Sequence, residues 1–230
     1  MLHFSEVLGP SWQVVLFTME EMWTMPSSVQ FQNAVQTDRI RIQFLPPDAI
    51  VTQWIWVNYF LTRPWIWQQV ESASRVLLFQ MDSIICSNSN MTVDDFLEWD
   101  YIGAPIPSAW GEGYNGGLSL RNPKMILDIL ASPSNDFDTK WDPGHFKSYT
   151  EDQWYYAKMK ELPHAKLPDR DVAKRFSVEQ EWYDQPVGYH APRLYNRKRM
   201  QEIWEYCPEV ELVNRDNKRL PGDNDDPKQK

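Results

Sequence analysis

Apolar positions along this chain fall into short runs separated by polar stretches and by Pro or Gly. Gln13 to Thr18 (QVVLFT) reads as a buried strand. Ser27 caps a short helix to about Val35, with Val29, Phe31 and Val35 apolar. Arg39 to Leu45 alternates, Ile40, Ile42 and Phe44 against Arg39, Arg41 and Gln43, as a half-exposed strand does, and Pro46-Pro47 ends it. Thr52 to Leu61 and Pro64 to Val70 read as helices, the second with Pro64 in the favoured first position. They carry Trp54, Trp56, Trp65 and Trp67, for most of which core packing is the expectation. In Arg75 to Cys86 (RVLLFQMDSIIC), Val76 to Phe79 are continuously apolar, which suits a strand buried on both faces of a parallel sheet.

Further along, Thr92 caps a helix holding Val93, Phe96 and Leu97, and Tyr101 to Pro105 is a short strand. GEGYNGGLSLRN is dense in glycine and ends in the alternating Leu118-Ser119-Leu120. Asn122 caps the next helix, Pro123 opens it, and Met125, Ile126, Ile129 and Leu130 form its buried stripe. Ser132 to Tyr149 is a polar loop of a length usually tied to function or mobility. Thr150 starts a helix with Gln153 in capping-box position. Short strand-like pieces lie near Ala165 and Phe176, and a helix spans about Arg197 to Tyr206. Alternating strands and helices imply an α/β fold with a largely parallel sheet. The expected organisation is a single domain over 1–212 and a disordered polar tail over 213–230.

Composition narrows the function classes. The chain has 230 residues, 42% of them hydrophobic, enough for one sizeable core. Its net charge of −9, with no basic stripe, argues against a nucleic-acid partner. Arg197, Lys198 and Arg199 read as a solvated helix face. An acidic protein still binds an anionic nucleotide when a divalent metal bridges the two. Cys86 and Cys207 alone make no disulfide framework, so the compartment stays open. Asn90-Met91-Thr92 is a glycosylation sequon, which matters in the secretory pathway. No signal peptide is visible at the first residues, and no apolar run reaches the roughly 18 residues of a membrane span.

Four segments carry chemistry. Asp82 follows a buried strand, where ligands of open α/β sheets bind, and a hard carboxylate there suits Mg²⁺ or Mn²⁺; an ordinary turn-opening Asp is the other reading. Asn115-Gly116-Gly117 removes side chains where something must approach the backbone, or simply forms a tight turn. Glu151-Asp152 sits at a helix start, which stabilises both as anions; an ionised carboxylate at a cleft rim can take a proton from a hydroxyl nucleophile. His190 follows Gly188-Tyr189, with a metal ligand and a structural histidine as alternatives.

In their order these segments resemble the GT-A glycosyltransferases. More closely, the chain looks like a chiefly fungal domain-of-unknown-function family, number 5672, that is itself glycosyltransferase-like. The motifs are VLGPSWQVVLFT, FLTRPWIWQQV, LLFQMDSIICSNS, VDDFLEWDYIGAP, GYNGGLSLRN, the Glu151-Asp152 pair and Gly188-Tyr189-His190, over about Leu8 to His190. The resemblance implies a GT-A, Rossmann-like three-layer αβα sandwich with a mostly parallel mixed sheet. The match opens at the helix after the first GT-A strand, so it also implies that this strand is missing.

For the site, it implies that Asp82 and His190 hold Mn²⁺ or Mg²⁺ on a nucleotide-sugar donor, with Gln80 in place of the usual first acid and able to hydrogen-bond a ribose. Asp152 matches the base of inverting enzymes and Glu151 the residue contacting the acceptor. Asn115, Gly116 and Gly117 match the strand lining the donor and acceptor pocket. The expected activity is metal-dependent inverting transfer of a sugar to a glycan or other hydroxyl acceptor. The alternative is a glycosyltransferase-like domain that binds carbohydrate or protein without turnover. A metal-dependent hydrolase would need a denser ligand set than four histidines provide.

Overall fold

The computed structural model describes residues 1–49, 54–137, 150–195 and 197–213. The expected loop over Ser132 to Tyr149 lies in part outside these residues, as does all of the expected tail except Val213.

Helix α1 (Leu2–Leu8) precedes strand β1 (Val14–Thr18), helix α2 (Val29–Gln36) and strand β2 (Ile40–Phe44). Ser28, one residue later than expected, caps α2 by accepting from the Phe31 N–H at 3.3 Å. β1 and β2 pair in parallel, as a strand–helix–strand unit requires. The Arg39 guanidinium ties α1 to this unit by donating to the carbonyls of Ser5, Gly9 and Trp12. Helices α3 (Trp54–Leu61) and α4 (Pro64–Gln68) follow, with Trp67 fully buried and donating to the Leu61 carbonyl at 2.7 Å.

Strands β3 (Val76–Phe79), β5 (Tyr101–Pro105) and β6 (Tyr114–Arg121) form a sheet in the order β3-β6-β5, with both pairings antiparallel. The expected parallel environment of β3 is therefore corrected. The loop Ile106–Gly113 between β5 and β6 is shorter than the dozen or so residues a parallel crossover needs. β3 is also only half-buried, and among the described residues it pairs on one edge alone. Strands β4 (Ser83–Ile85), β7 (Ser177–Val178) and β8 (Gly188–His190) make a third sheet, β4-β8-β7, antiparallel then parallel. The fold is thus mixed α/β with three small sheets, and parallel pairing is the minority among the described strands.

Helices α5 (Pro123–Ala131), α6 (Glu151–Lys160), α7 (Arg170–Phe176) and α8 (Arg197–Tyr206) complete the α-helices among the described residues. Thr92 does form a capping box with Asp95, but the turn it opens, Val93–Phe96, is 3-10. The Phe176 region, expected as strand, is the end of α7 running into β7. The main core gathers Trp67, Tyr101, Leu120, Ile126, Trp154 and Tyr189 from α4, β5, β6, α5, α6 and β8. Cys86, just after β4, is bonded to Cys207, just after α8, at a Cα–Cα distance of 4.9 Å.

A groove of about 1080 Å³ separates β1 from β3. Val14 to Phe17 and Val76 to Phe79 line it, and neither strand pairs on that edge among the described residues. Among the described residues no helix is long and apolar enough to cross a membrane.

Candidate functional site

The site is built on an irregularity in β6. Gly103 pairs with Ser119 but the next residue, Ala104, pairs with Asn115, so Gly116, Gly117 and Leu118 bulge out of the ladder with β5. Asn115 shapes the bulge, its Oδ1 accepting from the Gly117 N–H at 2.7 Å. The Gly117 carbonyl accepts from the Gln80 N–H (2.8 Å) and from Ser83 Oγ (2.6 Å), which fixes it against the β3–β4 turn. Absence of side chains is required at both glycines. A Cβ on Gly116 would collide with the side chains of Arg121 and Glu151, and one on Gly117 with the His190 ring.

On the Gly116 side stands the start of α6. Asp152 Oδ2 accepts from the Gly116 N–H at 2.9 Å, and Oδ1 from its neighbour's N–H on Gln153 at 2.7 Å and from Thr150 Oγ. The expected capping box of Thr150 with Gln153 does not form, because the hydroxyl is turned to Asp152. Glu151 is 4% exposed, and both its oxygens are taken by Arg121, at 2.8 and 3.1 Å. The Arg121 guanidinium is fully buried and lies 4.9 Å from the Tyr101 ring centre. Burial pushes the Glu151 carboxyl upward against the pull of Arg121. The carboxylate matched to an acceptor contact is therefore turned inward, leaving Asp152 as the one held at the bulge.

On the Gly117 side, β8 presents His190, 7% exposed. Its Nε2 lies 3.4 Å from Asp82 Oδ1 and 3.3 Å from Gln80 Oε1. Its Nδ1 faces Glu179 Oε1 at 3.3 Å in ion-pair contact. Burial would lower the imidazole pKa, but Asp82 and Glu179 outweigh it and raise it to about 9, so His190 is an imidazolium at neutral pH. His190 first, and Arg193 with it, hold Asp82 well below the usual carboxylate range against the effect of burial. Arg193 grips the second oxygen of Asp82. The backbone turns left-handed here at Ala191 (φ 47°), whose N–H donates to the Asp82 carbonyl at 3.0 Å.

All eight residues singled out from the sequence thus gather around one bulge. Gln80, Asp82 and His190 lie on one side of it, Glu151 and Asp152 on the other, and Asn115, Gly116 and Gly117 form it. Three partners escaped the sequence reading. Arg121 is the last residue but one of the YNGGLSLRN motif and had a visible place in the strand, whereas Glu179 and Arg193 sit in no pattern that marks them. The groove between β1 and β3 reaches Gln80 and Met81 but not Asp152 or His190.

As a cation site the donors fit in part. A carboxylate, an imidazole nitrogen and an amide oxygen converge, and the first two suit a divalent ion. Arg193 and the His190 proton compete for the same atoms, and among the described residues no three His, Cys, Asp or Glu side chains are arranged to hold a metal.

The fold and these two facing clusters define a mixed α/β domain with a carboxylate–histidine site on a glycine bulge. Residues 39–190, more than half of the chain, match the family model Protein of unknown function (DUF5672), and the chain belongs to that family. No curated protein matches it.

Proposed function

We propose that this protein is a GT-A-like glycosyltransferase that moves a sugar from a nucleotide-sugar donor to a hydroxyl acceptor with inversion. The observation that carries this reading is that consecutive residues, Gly116 and Gly117, abut the Asp152 cluster and the Asp82–His190 cluster respectively. A proton acceptor and a candidate diphosphate-facing group therefore each rest against one of two adjacent residues. Asp82 and His190, with Gln80 beside them, would hold Mn²⁺ or Mg²⁺, which when bound supplies positive charge opposite a leaving diphosphate. Asp152 is oriented by the Gly116 N–H and by Thr150, and takes the proton of the acceptor hydroxyl. The hydroxyl oxygen bonds to the anomeric carbon as the bond to the diphosphate oxygen breaks, and a single displacement inverts the centre. Arg121 and Glu151 position the start of α6 rather than touch substrate.

A second reading, a related domain that binds without turnover, draws on the occupation of Asp82 by Arg193 and His190. Calorimetry separates the two. Nucleoside diphosphates with Mn²⁺ are expected to bind the wild type and to lose binding at least about tenfold in Asp82→Ala. Asp152→Asn is expected to keep donor binding and to lose transfer by about a hundredfold or more. Absence of metal-dependent nucleotide binding overturns the donor site, and a fully active Asp152→Asn removes that residue as the base.

A further inference from the structure

The chain's single Asn-x-Ser/Thr triplet, Asn90-Met91-Thr92, has no part in the site on the glycine bulge. Such triplets are frequent by chance, so the structure around this one decides what it can do. It follows β4, in which Ser83 pairs with His190 and Ile85 with Gly188. The strand therefore leads away from the Asp82–His190 cluster, and Asn90 comes after its remote end. The backbone at Thr92 is extended, with φ −115° and ψ 168°. Successive side chains of an extended segment point to opposite faces. Met91 accordingly packs against the main core, while Asn90 and Thr92 on either side of it are exposed. The turn before them is anchored: the Ser87 N–H donates to Glu209 Oε1 at 3.2 Å, and Asn88 Nδ2 to the Tyr206 carbonyl at 2.9 Å. Asn88 is thus engaged, whereas the Asn90 amide makes no side-chain hydrogen bond among the described residues.

A second observation is independent of the triplet. Cys86 and Cys207 are the only cysteines of the chain; both are buried and they are bonded to each other. Such bonds form and persist in oxidising compartments and are rare where glutathione keeps thiols reduced. The secretory compartment that oxidises paired cysteines is also where exposed Asn-x-Ser/Thr triplets are glycosylated. In this chain the two features are four residues apart, Cys86 fixing the base of the segment that ends in Asn90.

We propose that Asn90 carries an N-linked oligosaccharide, attached in an oxidising secretory compartment. The co-reactant is an oligosaccharide carried on a lipid diphosphate. The Asn90 amide nitrogen bonds to the anomeric carbon of the first sugar and gives up one proton. The bond from that carbon to the diphosphate oxygen breaks, and the lipid diphosphate leaves. The extended triplet offers the amide and the Thr92 hydroxyl to the transferring enzyme from one face. The glycan extends into solvent from an exposed position at the end of β4 remote from Asp82, so this modification does not depend on the proposed activity.

The test uses the protein purified from the cells that make it. Alkylation without reductant is expected to label neither cysteine, and alkylation after reduction both. A peptide N-glycanase is expected to lower the mass of the intact chain by one glycan and to convert Asn90 to aspartate in the peptide that contains it. Asn90→Gln, produced in the same cells, should lose the mass shift entirely, and Thr92→Ser, which keeps the hydroxyl, should retain it. An Asn90 peptide recovered wholly unmodified overturns the proposal, even with the disulfide formed. Free thiols at both cysteines of the native protein overturn it through the compartment. A mass shift that survives Asn90→Gln overturns it by placing the sugar elsewhere.

Discussion

His190 owes its charge to its neighbours. Asp82 and Glu179 contact it from opposite ring nitrogens, with Gln80 alongside and Arg193 on the far oxygen of Asp82. Its pKa is raised from 6.5 to about 9 on folding, so folding takes up a proton between those values. The stabilisation is complete below about pH 6.5 and is lost as pH rises through 9. In chelator, urea midpoints of the wild type should fall between pH 6.5 and 9 by an equivalent of about 3 kcal/mol at most, and those of His190→Gln should change much less. At this scale the sequence was informative where a residue type is itself restrictive. Two adjacent glycines before a strand meant close approach, and the contacts of Gly116 and Gly117 are such approaches. It was silent on Glu179 and Arg193, because a carboxylate or guanidinium reaches its partner through the tertiary fold, which leaves no local pattern.

At the scale of elements, the start of α6 depends on one ion pair. Glu151 is buried and both its oxygens rest on Arg121 from the end of β6. Arg121→Met leaves a buried carboxylate without a partner and should cost about 3 to 5 kcal/mol in urea unfolding. Adding Glu151→Leu to it should recover most of that loss, because a buried ion pair can be exchanged for apolar groups at little net cost. Capping residues and periodicity located most helices correctly: Asn122 and Pro123 open α5, and Thr150 precedes α6. The direction of strand pairing was misread, since Val76–Phe79 is equally apolar whether its neighbour runs with it or against it. Helix α7 was missed between strand-like pieces, for its seven residues are too few to show a clear period.

Over the whole molecule, one covalent link joins parts far apart in sequence. Cys86 and Cys207 are separated by 121 positions, and their bond fastens the end of β4 to the end of α8. Replacing both with serine should lower stability by about 4 to 5 kcal/mol through the freed unfolded chain, as read from urea midpoints. Two cysteines so distant announce no pairing, and the fold alone brings them together. Such bonds persist under oxidising conditions, so the yield of native protein should depend on them. The groove between β1 and β3, where neither strand pairs on the facing edge among the described residues, likewise had no local pattern to announce it.

The bulge at Gly116–Gly117 has a consequence of another kind. The two clusters each lean on one of two successive α-carbons, which a trans peptide holds about 3.8 Å apart. The two places against which they rest are therefore set by a covalent ruler, one peptide unit long. Loosening of the surrounding helices can tilt either cluster away from its glycine, but it cannot stretch the peptide unit between the two resting places.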